Sequence, residues 1–252
     1  KVFIDDDSSK TIVKKIVDCK EILPFTHKKT YDLPELPPSL YGALDQFIVA
    51  RAIRNLRGQT RKHCSMMINV SRFVAVQKTV RDFLSLREKQ LRNAVKANYR
   101  MPESVSSTNV YMQSLKRAFT TEYAETGFTW PEIKAALNDV FEHLHLFVIN
   151  SKSDELLDYD RYKRDDIGLT AIAIGGLSLS RGLTIEGLTI SYMYRNTRMY
   201  DTLMQMGRWF GYRPDYEDLC RVHLSEDSIS WYSYIARAAE ELTQQITRMR
   251  RD

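Results

Sequence analysis

The sequence predicts an α/β protein, in which a mostly parallel sheet is flanked by helices and a helical segment is inserted between the first two strands. Two observations predict this class. Short apolar runs recur along the chain, as expected of strands that are buried on both faces of a parallel sheet. Stretches with apolar residues at helical spacing separate these runs, and such alternation is typical of sheets wrapped by helices.

Five apolar runs are the predicted strands. The last of them alternates between apolar and polar residues, which places it nearer an edge of the sheet than the others. Polar residues directly follow several runs, as expected where a strand gives way to a loop. The runs are residues 66–70, 146–150, 171–174, 188–194 and 219–224.

Helices are predicted where apolar residues recur every three to four positions. Two of these stretches fall between the first two strands, where a simple strand–helix–strand unit needs only one helix. They make up a helical insertion at about residues 100–145. The predicted helices cover about 39–57, 76–99, 109–125, 131–144 and 228–250.

The helix at 39–57 carries three arginines on one side, because Arg51, Arg54 and Arg57 are spaced in steps of three. The favoured interpretation is a solvated face, which is the usual role of a row of charges on a helix. The alternative is a stripe that follows the phosphates of a nucleic acid.

Domain boundaries are indicated by proline. Four prolines between residues 24 and 38 mark a linker-like passage. We therefore expect an N-terminal linker or partial segment at 1–38, in which residues 11–22 form a strand or a short helix. A single domain is expected over 39–252. The chain begins at Lys1 rather than Met and ends within a predicted helix, so we expect it to be part of a longer protein.

The composition is that of an ordinary globular protein. The formal net charge of +5 permits contact with nucleic acid without requiring it. Three widely spaced cysteines show no CxxC or zinc-type spacing, which is typical of reduced thiols. The sequence contains neither a signal peptide nor an apolar run long enough for a membrane span. These features predict a cytoplasmic protein without membrane contact.

A glycine- and arginine-rich stretch, residues 181–213, is predicted to face phosphate, because buried cores do not need that mixture. The chain contains no Gly-x-x-x-x-Gly-Lys-Ser/Thr loop to cradle phosphates by itself. Gln205 and Arg208 share a face of a predicted helix, and Arg213 lies just beyond. Such a cluster can offer a guanidinium to a phosphate that another domain holds. Ser71 and Arg72 follow the first strand, at the end where ligands gather in open α/β sheets.

Two motifs carry a resemblance to a known family. Residues 175–184 and 205–213 look like the fifth and sixth motifs of superfamily 2 helicases, and 67–72 occupies the place of the fourth. The exact sequences more closely resemble the bacterial Z-one (Z1) domain family. They are Leu-Ser-Arg-Gly-Leu-Thr-Ile-Glu-Gly-Leu (179–188) and Asp-Thr-Leu-Met-Gln-Met-Gly-Arg-Trp-Phe-Gly-Tyr-Arg (201–213). That family occurs in restriction and phage-defence gene clusters, C-terminal to an ATPase domain.

The resemblance implies a RecA-like fold and roles for individual residues. Arg181 and Gly182 match the helicase Arg-Gly pair. Thr184 stands where many members have an acidic residue, and Glu186 is the nearby carboxylate for a ribose contact. Gly182, Thr184 and Glu186 are thus the implied ATP contacts. Either Arg208 or Arg213 is the implied arginine finger, with Gln205 beside it. The implied contacts to the DNA backbone are Ser71, Arg72, Gly176, Ser178 and Arg181.

The resulting expectation is the C-terminal motor domain of an ATP-dependent DNA translocase or helicase-like protein of bacterial defence. ATP and Mg²⁺ would be bound mainly by a domain outside this chain, so the isolated chain is expected to be inactive. DNA, the N-terminal ATPase domain and other defence subunits are the expected partners. No metal site is expected within the chain itself.

Two alternatives stay open. The first is a metal-dependent endonuclease that uses the acidic residues of 1–20 or 154–166. Glu132-Ile133-Lys134 and Asp18-Cys19-Lys20 are the only acidic and basic sets of the required shape, and neither has a convincing carboxylate partner in the sequence. The second is a non-catalytic module that binds DNA or another subunit and keeps the fold of a motor without its activity.

Overall fold

The computed structural model describes residues 11–150, 157–176, 179, 184–194 and 215–249. Within these ranges a six-stranded sheet forms the centre of the molecule, with the strand order β1-β6-β5-β2-β4-β3. Every neighbouring pair of strands is parallel. The strands are β1 (Val13–Ile16), β2 (Cys64–Asn69), β3 (Leu144–Ile149), β4 (Thr170–Gly175), β5 (Leu188–Met193) and β6 (Arg221–Ser225).

Helices cover both faces of this sheet. Met66 and Ile68 of β2 pack into the larger core, whereas Met67 between them packs into the smaller core on the opposite face. The helices are α1 (Cys19–Ile22), α2 (Pro38–Leu56), α3 (Val74–Asn98), α4 (Glu103–Ser106), α5 (Val110–Glu122), α6 (Trp130–Val140) and α7 (Glu226–Met249). This arrangement confirms the predicted α/β class and is consistent with a RecA-like fold.

The predicted helical insertion between β2 and β3 is also present. Asn109 caps α5, because its side-chain oxygen accepts hydrogen bonds from the backbone N–H groups of Tyr111 and Met112. Thr129 and Glu132 form a capping box at the start of α6. Local sequence therefore sets where each inserted helix begins. None of the helices among the described residues combines the length and apolar composition needed to cross a membrane.

β6 lies near an edge of the sheet, as its sequence predicted, but it is not the edge strand. Residues 13–16, within the segment 1–38, form β1 and pair with β6 on its outer side. Its alternating polar residues are buried and have partners. Arg221 donates to Glu122, and the ring of His223 is 2.8 Å from Gln46 Oε1. Buried polar pairs thus gave β6 the sequence pattern of an edge strand.

The arginine row of α2 is not the solvated face that the sequence favoured. Arg51 is fully buried and donates to the carbonyl oxygens of Lys62, Thr60 and Gly168. Arg54 is buried too, and donates to Gln59 and to the carbonyl of Gly187. Arg57 makes a bidentate pair with Asp218. Through these hydrogen bonds, the arginines hold the loops that precede the strands against α2.

Candidate functional site

The carboxyl edge of the central strands brings together residues that are distant in the chain. A Cβ atom built on Gly176 would lie 3.6 Å from the carbonyl oxygen of Ser71 and 3.7 Å from Cα of Arg72. The strand order changes direction here, because β2 lies between β4 and β5. Ligands of open α/β sheets bind at the carboxyl ends of the strands, beside such a switch point.

Ser71 is held in place by several hydrogen bonds. Its hydroxyl oxygen accepts from the backbone N–H of Phe73 at 3.1 Å and lies 2.7 Å from Nε2 of His27. Since Nδ1 of His27 donates to the carbonyl of Pro24 at 2.7 Å, Nε2 is the nitrogen that accepts from the Ser71 hydroxyl. Ser71 is fully buried, so its hydroxyl secures the turn after β2. Sequence reasoning missed His27, which lies in the proline-rich passage.

Arg72 differs from its neighbour because its side chain is exposed. The guanidinium carbon lies 4.7 Å from the centre of the Phe73 ring. No carboxylate of the described ranges forms an ion pair with it. A guanidinium that rests on an aromatic ring and lacks a counter-ion can accept a phosphate.

Some buried polar atoms at this edge lack partners. Asn69 Oδ1, Gln77 Oε1 and the Tyr194 hydroxyl are buried, and none has a hydrogen-bond partner within the described part of the chain. Asn69 ends β2, Tyr194 follows β5, and Gln77 lies in the first turn of α3, where its Nε2 donates to the carbonyl of Ser71 at 2.9 Å. Buried polar groups are usually paired. Three orphaned groups at a strand-order switch indicate a place where a ligand completes the hydrogen bonding.

Glu186 lies apart from this edge, and Thr184, two residues before it in the chain, is exposed. Glu186 comes just before β5, and its backbone N–H donates to the hydroxyl of Tyr159 at 3.0 Å. One of its carboxylate oxygens is 3.9 Å from Nε2 of His63, which precedes β2. Burial lowers the pKa of His63, which favours the neutral ring and weakens the pair. The Glu186 carboxylate is half exposed at the amino ends of β2 and β5, across the sheet from Ser71.

Several predicted site residues cannot be placed. Those outside the described residues are Ser178, Arg181, Gly182, Gln205, Arg208 and Arg213.

Most of the charged residues in the candidate nuclease sets have structural partners. Glu132 caps α6, and the Lys134 ammonium donates to the carbonyl of Met101 and to Ser106. Asp18 accepts hydrogen bonds from the backbone N–H and the hydroxyl of Ser39. Cys19 is buried, which raises the pKa of its thiol to about 12. Across the parts of the chain that the structure describes, no group of three or more His, Cys, Asp or Glu side chains is placed to hold a metal ion.

Comparison with known proteins identifies the family. No curated protein and no solved structure matches the chain. The family model described as Z1 domain matches residues 39–252, which is most of the chain. The chain therefore belongs to the Z1 domain family.

Proposed function

We propose that this chain is the C-terminal motor domain of an ATP-dependent DNA translocase or helicase-like protein that acts in bacterial restriction or phage defence. The observation that carries the proposal is the meeting of Ser71, Arg72 and Gly176 at the carboxyl edge of β2 and β4. These residues come from two separate motifs, each chosen from the sequence for contact with a DNA backbone.

The DNA would lie along this edge. Arg72 supplies an exposed charge for one phosphate, while Ser71 and Gln77 keep the turn after β2 rigid. Gly176 is buried against Gln77 and the turn after β2, so a larger side chain there would press on the turn that presents Arg72. Ser178 and Arg181 extend the same contact in the proposal. The cytoplasm is the expected compartment for such a protein.

ATP and Mg²⁺ would be held mainly by another domain and would supply the free energy for movement along DNA. From this chain, Arg208 or Arg213 would reach the γ-phosphate, with Gln205 beside them. Gly182, Thr184 and Glu186 are the proposed contacts to the rest of the nucleotide. The half-exposed carboxylate of Glu186 is chemically suited to accept a hydrogen bond from a ribose hydroxyl. Its place at the amino ends of the strands requires the nucleotide to reach that side of the domain.

Fluorescence anisotropy with labelled DNA at several salt concentrations tests the proposed DNA contact. Arg72→Ala should weaken binding and reduce the slope of log K against log salt by about one, as expected for the loss of one phosphate contact. Arg161→Ala is the matched control, because Arg161 is exposed in the loop before β4. Equal slopes for the wild type and Arg72→Ala would count against the proposed contact.

Two further assays separate the proposal from its alternatives. The isolated chain should hydrolyse almost no ATP, and appreciable turnover would count against the role of a half-site. Metal-dependent nicking of plasmid by the chain would instead favour the endonuclease. DNA binding combined with an absence of ATPase activity, even when the ATPase domain is attached, would favour the non-catalytic module.

A further inference from the structure

A cleft lies beside the proposed DNA edge and has no assigned role. It measures about 300 Å³ and opens at the carboxyl ends of β1, β5 and β6. The lining side chains that matter here are Lys15, Lys20, Phe25, Tyr194, Ser225 and Asp227. Phe25 is two residues from His27, and His27 is hydrogen-bonded to Ser71. One short segment therefore connects this cleft to the turn that carries Arg72.

The wall of the cleft is a stacked pair of aromatic rings. The Phe25 and Tyr194 rings are 4.4 Å apart and lie within 10° of parallel. Tyr194 is buried, whereas Phe25 is 43% exposed. Since Tyr194 covers one face of the Phe25 ring, the exposed area lies on the other face and the ring edge. Val17, which is 76% exposed, adds apolar surface to the same lining. This wall can stack a flat ligand.

The floor of the cleft offers a hydrogen-bond acceptor. The Asp227 carboxylate is part of the lining. The buried Tyr194 hydroxyl has no hydrogen-bond partner within the described residues, and it lies behind Phe25 in the plane of its own ring. A flat ligand on the open face of Phe25 can therefore donate to Asp227 but does not contact the Tyr194 hydroxyl.

The charges disfavour a free anion inside the cleft. Ser225 already caps the start of α7, and Glu226 and Asp227 occupy its first turn. Lys15 forms an ion pair with Glu226 at 2.5 Å. Lys20 has no carboxylate partner among the residues that the structure describes. The balance suits a neutral planar group inside the cleft, with a phosphate passing outside near Lys20.

We propose that this cleft holds one unpaired base of a single-stranded DNA, stacked on the open face of Phe25 with its polar edge toward Asp227. The inference rests on the proposed DNA-binding function and adds the form of the DNA. Phosphates run past Lys20 toward Arg72, so the base and the backbone are gripped side by side. Stacking of this kind tolerates every base and is a common basis of single-strand binding.

The test compares a single-stranded oligonucleotide with its duplex, using the 252-residue chain and fluorescence anisotropy. Phe25→Leu should weaken single-strand binding about tenfold and leave duplex binding unchanged, and Phe25→Trp should restore it. Tyr234→Leu is the matched control, because Tyr234 is another exposed aromatic residue, on α7. Wild-type single-strand affinity in Phe25→Leu would overturn the inference.

A second readout follows the base itself. The fluorescence of 2-aminopurine in the oligonucleotide should change on binding to the wild type and change less with Phe25→Leu, because the base leaves its neighbours in the strand and stacks on Phe25. Unchanged fluorescence in the wild-type complex would overturn the inference without any variant. If Phe25→Leu binds DNA normally while Arg72→Ala binds it weakly, the inference about the cleft is wrong and the proposed function stands. If the wild type binds no DNA, both are wrong.

Discussion

The two edges of the sheet use their arginines in opposite ways. At the amino edge, Arg51 and Arg54 of α2 and Arg57 just after it all donate to loop carbonyls or side chains. At the carboxyl edge, Arg72 is exposed and forms no ion pair with the described residues. An arginine with protein partners stabilises the folded chain, whereas an exposed arginine without a counter-ion is available to a ligand. The contrast teaches that residue type alone does not identify a functional arginine.

The largest expected difference between the edges is in the loss of stability when a glycine is replaced by alanine. Gly187 has φ +62°, and a Cβ atom there would lie 1.9 Å from the carbonyl oxygen of His63. Gly187→Ala should therefore lower the free energy of unfolding by about 4 kcal/mol, since both the left-handed backbone and the backbone clash oppose it. Urea unfolding measures this change.

Gly176 is the matched position at the carboxyl edge. A Cβ atom there would lie 3.3 Å from Nε2 of Gln77, a flexible side chain. Gly176→Ala should change stability by less than about 1 kcal/mol. The same substitution should weaken DNA binding, because the added methyl group presses on Gln77, which is hydrogen-bonded to the turn that carries Arg72. A larger loss of stability for Gly176→Ala than for Gly187→Ala would contradict the expected difference between the two edges.

Replacing the arginines should give a somewhat smaller difference in stability between the two edges. Arg51→Met should cost about 3 kcal/mol of unfolding free energy, because it removes the donors to three loop carbonyls from a fully buried site. Arg72→Met should leave stability within about 0.5 kcal/mol of the wild type. Chemical denaturation of both variants measures these two changes in unfolding free energy. Equal changes would show that the two edges do not differ in the way proposed.

A pH titration extends the comparison to the sheet between the edges. Burial lowers the pKa of His223 to about 4, so the folded chain resists protonation there while the unfolded chain does not. Stability from this residue is present above pH 6.5 and is lost as pH falls toward 4. The loss between pH 7 and pH 5 should be about 2 kcal/mol.

His223→Gln removes this titrating group and keeps a donor for Gln46. The variant should therefore lose about 2 kcal/mol less than the wild type over the same pH interval. Unfolding free energies measured at pH 7 and pH 5 provide the check. Parallel pH profiles for the two proteins would show that His223 is not protonated selectively in the unfolded chain.

The sequence predicted the sheet because its strands are continuous apolar runs, and it placed Ser71, Arg72 and Gly176 because a strand end is readable from such a run. It misread Arg51 and Arg54, since steps of three look the same on buried and solvated helix faces. Only tertiary partners such as Gly168 and Gly187 distinguish these cases.

Other features depended on contacts that no local pattern reveals. Phe25 and His27 lie in a passage that its prolines identified as linker-like, yet they contact Tyr194 and Ser71. The strand β1 is only four residues long, and its pairing with β6 depends on the rest of the sheet. A spacing rule detects contacts within one helix or strand, and these contacts join separate segments.

The most direct measurement of the proposed motor role is ATP hydrolysis by the protein that joins this chain to an ATPase domain. Arg208→Ala with Arg213→Ala should reduce DNA-stimulated turnover by about 10³–10⁵, as expected on losing an arginine finger. Arg161→Ala should retain the wild-type rate. Wild-type turnover in the double variant would contradict the proposal that this chain completes the ATP site.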